Sequence, residues 1–394
     1  MQSSTSTNGD GASEPGQGSS PSVAACTGPF YIGSDIYRNR AFGSNHPLSI
    51  VRHAAVTDLL QMLGWLDDGN FRESAPATFA QLTEFHDRAY VRALQHANRT
   101  GTVAPEVRQL YQIGTFENPL FPGLFDRAAM TVGGSILAAE LVVDGGVTFH
   151  PSGGTHHGRP DRASGFCYFN DPVFAIRTLL KAGRERVLYI DLDAHHGDGV
   201  EEAFFGEERV TTLSIHEERR WPFSGTRSYP ATGNYNLPVP KGYNDSEFRF
   251  LFDHALLPLI GHRQPDALVL CCGADCLDGD PLSGMALSNV VLWDAVCELL
   301  ALRLPMVILG GGGYNPWTVT RYWAGMWGRI NGYEIPERLP LEATEYLQHL
   351  ECDLVDEEDV ALEWLTTLAD RARPGEVRAT VKALLSGGEW RFGT

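Results

Sequence analysis

The stretch Val187-Leu188-Tyr189-Ile190-Asp191-Leu192-Asp193-Ala194-His195-His196-Gly197-Asp198-Gly199 decides how this chain is read. It opens as a short apolar run of the kind that forms a buried strand in a parallel sheet. It closes in a burst of acids and imidazoles. Side chains alternate along a strand, so Asp191, Asp193 and His195 are expected to point the same way. In a parallel sheet, ligand chemistry gathers beyond the carboxyl ends of the strands. A carboxylate and an imidazole two residues apart at such an end make half of a metal site. An ordinary strand with a polar loop would bury the same acids without partners, which is costly.

Outward from this stretch, strands and helices alternate. Residues 29–33, 147–149, 211–216, 267–272 and 306–309 read as further strands. One helix follows Asn45-His46-Pro47-Leu48-Ser49 and runs through Leu59 and Leu63; another opens at Thr83 and runs to about Ala97. Further helices are expected at 124–143, 172–181, 246–261, 285–302 and 317–329, with Asp171 capping the one at 172–181. Such alternation implies an α/β fold with a central parallel sheet and helices on both faces. Residues 1–28 are rich in Ser, Gly, Thr and Pro and read as a disordered leader. Residues 335–394 read as an acidic extension, helical at 357–372 and 376–385, with no nameable chemistry.

Composition narrows the function classes. The 394 residues are 43% hydrophobic and 20% charged, which suits a soluble protein with a large core. No apolar run approaches the roughly 20 residues a spanning helix needs, so no membrane partner is expected. Met1 to Thr7 has neither the basic start nor the apolar segment of a secretory signal. The seven cysteines show no paired-ligand spacing and read as reduced thiols in a cytoplasmic protein. The net charge of −18 argues against direct nucleic-acid binding. It suits a basic partner such as a lysine-rich segment or a polyamine, although solubility alone accounts for it equally well.

Several strand ends carry groups suited to a metal or to proton transfer. Asp193, His195 and Asp275 can form an Asp-His-Asp site, and three protein ligands leave a fourth position for water. His156 and His157 offer a general base and a general acid side by side, with Asp191 and Asp198 as spare acids to orient them. Tyr314, delivered by the glycine run 310–313, can donate a hydrogen bond to a developing oxyanion. The set describes metal-assisted amide hydrolysis. Each piece alone has a bland reading: a His-His pair is more often a loop accident, Trp221 and Phe223 pass for surface aromatics, and His216 for a structural histidine. The glycine run lacks the Lys-Ser/Thr of a phosphate-binding loop. The conjunction carries the weight.

These residues resemble a known family. Gly153-Gly154-Thr155-His156-His157, Ala163-Ser164-Gly165-Phe166-Cys167-Tyr168, Asp191 to Gly199, Gly273-Ala274-Asp275 and Gly310-Gly311-Gly312-Gly313-Tyr314-Asn315 look like the zinc-dependent histone deacetylases. Asn45-His46-Pro47-Leu48 and Asn118-Pro119-Leu120-Phe121-Pro122-Gly123 look most like the bacterial acetoin-utilisation branch. The resemblance implies a single arginase/deacetylase-like domain over residues 29–334 and one zinc (Zn2+) on Asp193, His195 and Asp275. It pairs His156 with Asp191 and His157 with Asp198, and gives Tyr314 the acyl carbonyl. Gly165, Phe166 and Phe223 would line a narrow channel for the lysine stem, with Leu282 at its rim. Arg52 would sit in the inner pocket where acetate leaves. Glu117 stands where the family usually has an Asp that grips the substrate backbone. The family often carries structural potassium (K+), here near Asp191, Asp193, His195, Ser214 and Ile215. Ser224 and Ile50 replace common prolines, and Asp278 a usually small, apolar residue.

The implied reaction removes acetyl or other acyl groups from protein lysines; an acetylpolyamine or another small acetylamide is the alternative substrate. An arginase-type dimanganese enzyme would need Asp-x-His-x-Asp where this chain has Asp-x-Asp-x-His. A binding module without activity would be expected to have lost Tyr314 or a ligand.

Overall fold

The computed structural model describes residues 28–39, 41–43 and 46–390. The expected leader, apart from Gly28, lies outside the described residues, as does Asn45. Eight strands form one sheet: β1 (Phe30–Gly33), β2 (Phe71–Glu73), β3 (Val147–His150), β4 (Val187–Asp191), β5 (Val210–Glu217), β6 (Asn234–Val239), β7 (Ala267–Cys271) and β8 (Met306–Leu309). Their order is β2-β1-β3-β8-β7-β4-β5-β6, and every pair is parallel.

Alternation along these strands feeds two cores. Leu188, Ile190, Leu213, Leu268, Leu270, Met306 and Ile308 enter one cluster, with the helices Arg52–Met62, Asn289–Leu300 and Pro316–Asn331. Val187, Tyr189, Val210, Ala267, Val269, Val307 and Leu309 enter the other, under the helices Leu124–Leu141 and Asp171–Lys181. Both faces of the sheet are covered, which is why its strands read as unbroken apolar runs. The close fit of the helix Leu124–Leu141 on β3 explains its small residues: a Cβ on Gly134 would stand 2.5 Å from the His150 ring.

Three expectations change. Asn170, not Asp171, caps the helix, its side chain accepting from Val173 N. Asp171 instead binds Ser135 at 2.5 Å and the amides of Gly154 and Thr155, tying the loop after β3 to the helix below. β4 ends at Asp191, so its alternation does not carry through His195: Asp191 turns to His156, whereas Asp193 and His195 converge with Asp275. The tail is less helical than expected, with short helices at Leu341–Gln348, Leu362–Thr366 and Ala379–Ala383. Extended backbone is favoured before Pro374, and residues 367–378 spend their bonds on the sheet domain. Asp370 meets the fully buried Arg321 at 2.7 Å, Arg378 clasps Glu247, and Arg373 reaches Asp278 at 2.7 Å. The last contact accounts for the unusual acid at 278. Trp364, Leu368, Val381 and Trp390 join the first core.

Candidate active site

The carboxyl ends of β3, β8, β7 and β4 are neighbours in the sheet, and each runs into one block of polar residues. β3 leads to His156 and His157, β8 to Tyr314, β7 to Asp275 and β4 to Asp193 and His195. Four loops therefore converge over the middle of the sheet, where an open parallel sheet holds its ligands.

One oxygen or nitrogen from each of Asp193, His195 and Asp275 lies within 4.8 Å of the others, and all three residues are buried. His195 turns Nδ1 to both acids, 2.8 Å from Asp275 and 3.2 Å from Asp193. Backbone amides hold the remaining oxygens: Gly312 N donates to Asp193 at 2.6 Å and Ala194 N to Asp275 at 2.9 Å. No lysine or arginine bonds either acid among the described residues. Burial and the neighbouring Asp193 push the Asp275 carboxyl up, whereas the facing imidazoles of His156 and His195 outweigh burial and hold Asp193 down. Burial is likewise outweighed at His195, which the two acids raise to about 10. Two buried carboxylates and an imidazole aimed at one point, with no lysine or arginine bonded to them among the described residues, fit a divalent cation of the zinc type. His156, Asp193 and Cys271 also converge. There, however, His156 has given Nδ1 to Asp191, and burial keeps the Cys271 thiol protonated with its Sγ 3.3 Å from Gly310 O.

The two histidines stand 3.9 Å apart, ring centre to ring centre. His156 Nδ1 meets Asp191 at 2.7 Å, and His157 Nδ1 meets Asp198 at 2.8 Å. Asp191 also accepts from Tyr189 and Asp193 N, whereas Asp198 also binds Arg159. The arginine draws charge from Asp198, so the two dyads are unequal. Burial depresses both imidazoles, but Asp191 and Asp193 together lift His156 to about 9. Burial and the charge of its neighbour leave His157 at about 4.

Burial, then Asp275 and Asp193, pushes the Tyr314 phenol well up, so it stays a proton donor. Asp280 fixes its backbone, accepting from Tyr314 N at 2.7 Å and from Leu282 N at 2.9 Å. Arg52 is buried behind it, donating to Gly313 O at 2.9 Å over the Trp323 ring. Phe166 packs edge-on to Tyr314 at 6.0 Å and to His46 at 4.5 Å.

The channel wall opposite Phe166 differs from the expectation. Phe223 is 69% exposed. A tight turn, with φ positive at Arg219 and Phe223 and a bond from Phe223 N to Arg220 O, carries it outward. Trp221 takes the inner position, 4.6 Å from the His157 ring, and would meet a Cβ on Gly165 at 2.4 Å. Only glycine fits at 165, where φ is also +55°. Glu117 does not project freely either: its carboxylate binds Gly165 N. Leu282 is half-buried, its carbonyl held by Arg220. Ser224, in place of proline, bonds His196 Nδ1 at 2.8 Å. Asp191 and Ser214 are register partners on β4 and β5, with the Ser214 hydroxyl against His216. The sequence reading missed Trp221, Asp280 and Arg159. Asp280 alone left a signal, as an acid within an otherwise tight Gly-Asp-Pro loop.

Residues 46–330 match the model of the histone deacetylase domain. The chain belongs to the histone deacetylase family. It is 33% identical to the acetoin utilization protein AcuC of Bacillus subtilis, over 79% of this chain and 84% of that protein. It is also 33% identical to the histone deacetylase RPD3 of Saccharomyces cerevisiae, over 79% of this chain and 73% of that one. The crystal structure of an HDAC homologue from Aquifex aeolicus superposes with a TM-score of 0.86 at 37% identity, covering 91% of this chain and 98% of that one. An HDAC homologue complexed with SAHA matches with the same values. The chain is accordingly a deacetylase-type hydrolase of a zinc-dependent family, built as one α/β domain. Among the described residues no helix is long and apolar enough to cross a membrane, and every described cysteine is free.

Proposed function

We propose that this protein removes acetyl and related acyl groups from lysine side chains of proteins, releasing acetate, in the cytoplasm. Asp193, His195 and Asp275 would hold one zinc, which supplies Lewis acidity for the acyl carbonyl and lowers the pKa of a bound water. A structural potassium near Asp191 and Ser214 belongs to the same reading.

The observation that carries it is two adjacent histidines on unequal carboxylates, His156 on Asp191 and His157 on an Asp198 that Arg159 also binds. His157, neutral near pH 7 with Nδ1 committed to Asp198, is free to take a proton at Nε2 from the attacking water. His156, held charged by Asp191, stabilises the developing negative charge and has a proton for the leaving lysine amine. Tyr314 donates its hydroxyl proton to the oxyanion, and Asp280 keeps it in reach. Phe166 and Trp221 exclude water and leave an apolar passage for a lysine stem.

Protein lysine is favoured over a polyamine by the state of nearby acids. Leu282 offers no charge to a distal ammonium. Glu117 is spent on Gly165, Glu217 on Arg220 and Asp278 on Arg373. A charge-assisted contact contributes roughly 1.5–3 kcal/mol, so its lack lowers kcat/KM for a cationic small substrate more than about tenfold. A turnover panel of acetyl-lysine peptides beside acetylated polyamines tests this, with Leu282→Glu expected to shift preference toward acetylspermidine. Wild-type protein that turns over acetylpolyamines better than every peptide, and loses that preference in Glu117→Ala, refutes the protein-lysine reading.

A further inference from the structure

Behind the catalytic residues lies a cavity of about 70 Å³. Gly153, Thr155 and Phe166 place its near end against His156 and Tyr314, and Arg52, His53 and Arg127 line it further in. One water needs roughly 10–15 Å³, so the space exceeds what an acetyl methyl fills. No Asp or Glu is among its lining residues.

Burial lowers the Arg52 pKa, and Tyr314, Asp275, Asp193 and Asp280 act through space against it. No acid acts on Arg127 in this way. Its guanidinium bonds the carbonyls of Ile36 and Asn39 and His53 Nδ1 at 3.3 Å, and lies over the Tyr37 ring. Among the described residues no carboxylate bonds it, and burial and the positive charge of Arg52 lower its pKa. His53 accepts from Arg127 at Nδ1, which places its own proton on Nε2. That nitrogen is buried without a hydrogen-bond partner. A half-buried cation with no carboxylate on it and an unmet buried donor beside it both favour an anion in this cavity.

We propose that the cavity, through Arg127 and His53, accepts acyl chains that end in a carboxylate, so that succinyl- and glutaryl-lysine are substrates alongside acetyl-lysine. The inference rests on the lysine-deacylase reading above and extends it to the acyl group. The amide C–N bond breaks; water gives its hydroxyl to the acyl carbon and its proton to the lysine amine. The products are a dicarboxylate and free lysine. The distal carboxylate meets Arg127, while Arg52 stays near the acyl carbonyl end through its bond to Gly313.

The test is kcat/KM of the zinc-loaded protein on one peptide carrying acetyl-, butyryl-, succinyl- or glutaryl-lysine. Succinyl or glutaryl is expected to exceed butyryl, the uncharged chain of comparable length. Arg127→Met should lower the succinyl-to-butyryl ratio at least about tenfold, the cost of one charge-assisted hydrogen bond, and Arg127→Lys should restore part of it. Metal-free protein gives a second readout: succinate should raise the melting temperature more than butyrate does, and Arg127→Met should remove the difference. Carboxylated chains turned over less well than butyryl, or a ratio unmoved by Arg127→Met, overturns the proposal. If Arg127→Met does not fold, the wild-type order of butyryl and succinyl decides alone. If no acyl-lysine peptide is turned over at all, the deacylase reading fails, and the succinate and butyrate melting shifts still decide the cavity.

Discussion

Tyr314 stands between two regions of opposite character. On one side Asp193, His195 and Asp275 form a buried cup whose acids no lysine or arginine bonds among the described residues. On the other, Arg52, His53 and Arg127 line a cavity without an acid. A third buried charge shows what neutralisation within the chain looks like: Arg321, fully buried, is closed off by Asp370 and Thr367. The cup and the cavity differ from it: among the described residues no lysine or arginine bonds the acids of the cup and no carboxylate bonds Arg127, which suits a cation in one case and an anion in the other. Charge with no opposite formal charge bonded to it marks the places where this fold expects a visitor.

The harshest way to break the contrast is to remove a cup ligand. Asp193→Ala should abolish metal content and activity together, since three protein ligands define the site. Elemental analysis beside a turnover assay checks it, and two manganese ions per chain with activity surviving would overturn the single-zinc reading. Next come the two arginines, compared by thermal or denaturant unfolding. Asp370→Ala strands Arg321 and should cost roughly 3–5 kcal/mol of stability. Arg127→Met, which strands two carbonyls and a neutral imidazole nitrogen but no opposite charge, should cost less, about 1–2 kcal/mol. Equal losses would dissolve the distinction between paired and waiting charge. Tyr314→Phe should leave zinc and fold intact and lower turnover on the order of 10²–10³, the usual effect of losing one oxyanion donor; a loss under about fivefold would show that the tyrosine does not face the oxyanion.

Two subtler outcomes sharpen the picture. His157 must be neutral to take a proton, and its folded-state pKa is depressed to about 4. Activity therefore holds as pH falls through the ordinary histidine range and is lost only as pH nears that value. A kcat/KM profile whose acid limb sits near the unperturbed pKa of about 6.5 would contradict the tuning. Asp275→Asn removes one ligand of the cup, so added zinc should raise the melting temperature of wild-type protein and not that of the variant.

The cup was legible in the sequence because its residues follow apolar strand runs within a few positions. Parallel strands bring such ends together whatever lies between them. Asp191 was misdirected for the same reason: the alternation rule holds only as far as the strand, and β4 stops there. The cavity was mostly illegible. Arg127 lies in a helix, where a lone arginine reads as a surface charge, and its partners Ile36, Asn39 and His53 are distant in sequence. Trp221 hid likewise, because a turn that throws Phe223 outward and keeps Trp221 inward depends on backbone geometry that composition does not report.

The tail has a consequence for timing. Trp364 packs where a Cβ on Gly279 would stand, and Gly279 O is held by Asn315, next to Tyr314. Arg321 meets its counter-charge only when Asp370 arrives. Every proposed catalytic group has left the ribosome well before residues 364–370 do. During synthesis the nascent chain thus passes through a stage that carries its whole chemistry on an unbraced tyrosine loop, with a naked buried arginine beneath. Stalled chains released at residue 340 should bind a chaperone or be degraded rather than turn over substrate, and ribosome-bound chains should gain protease resistance only as Asp370 emerges.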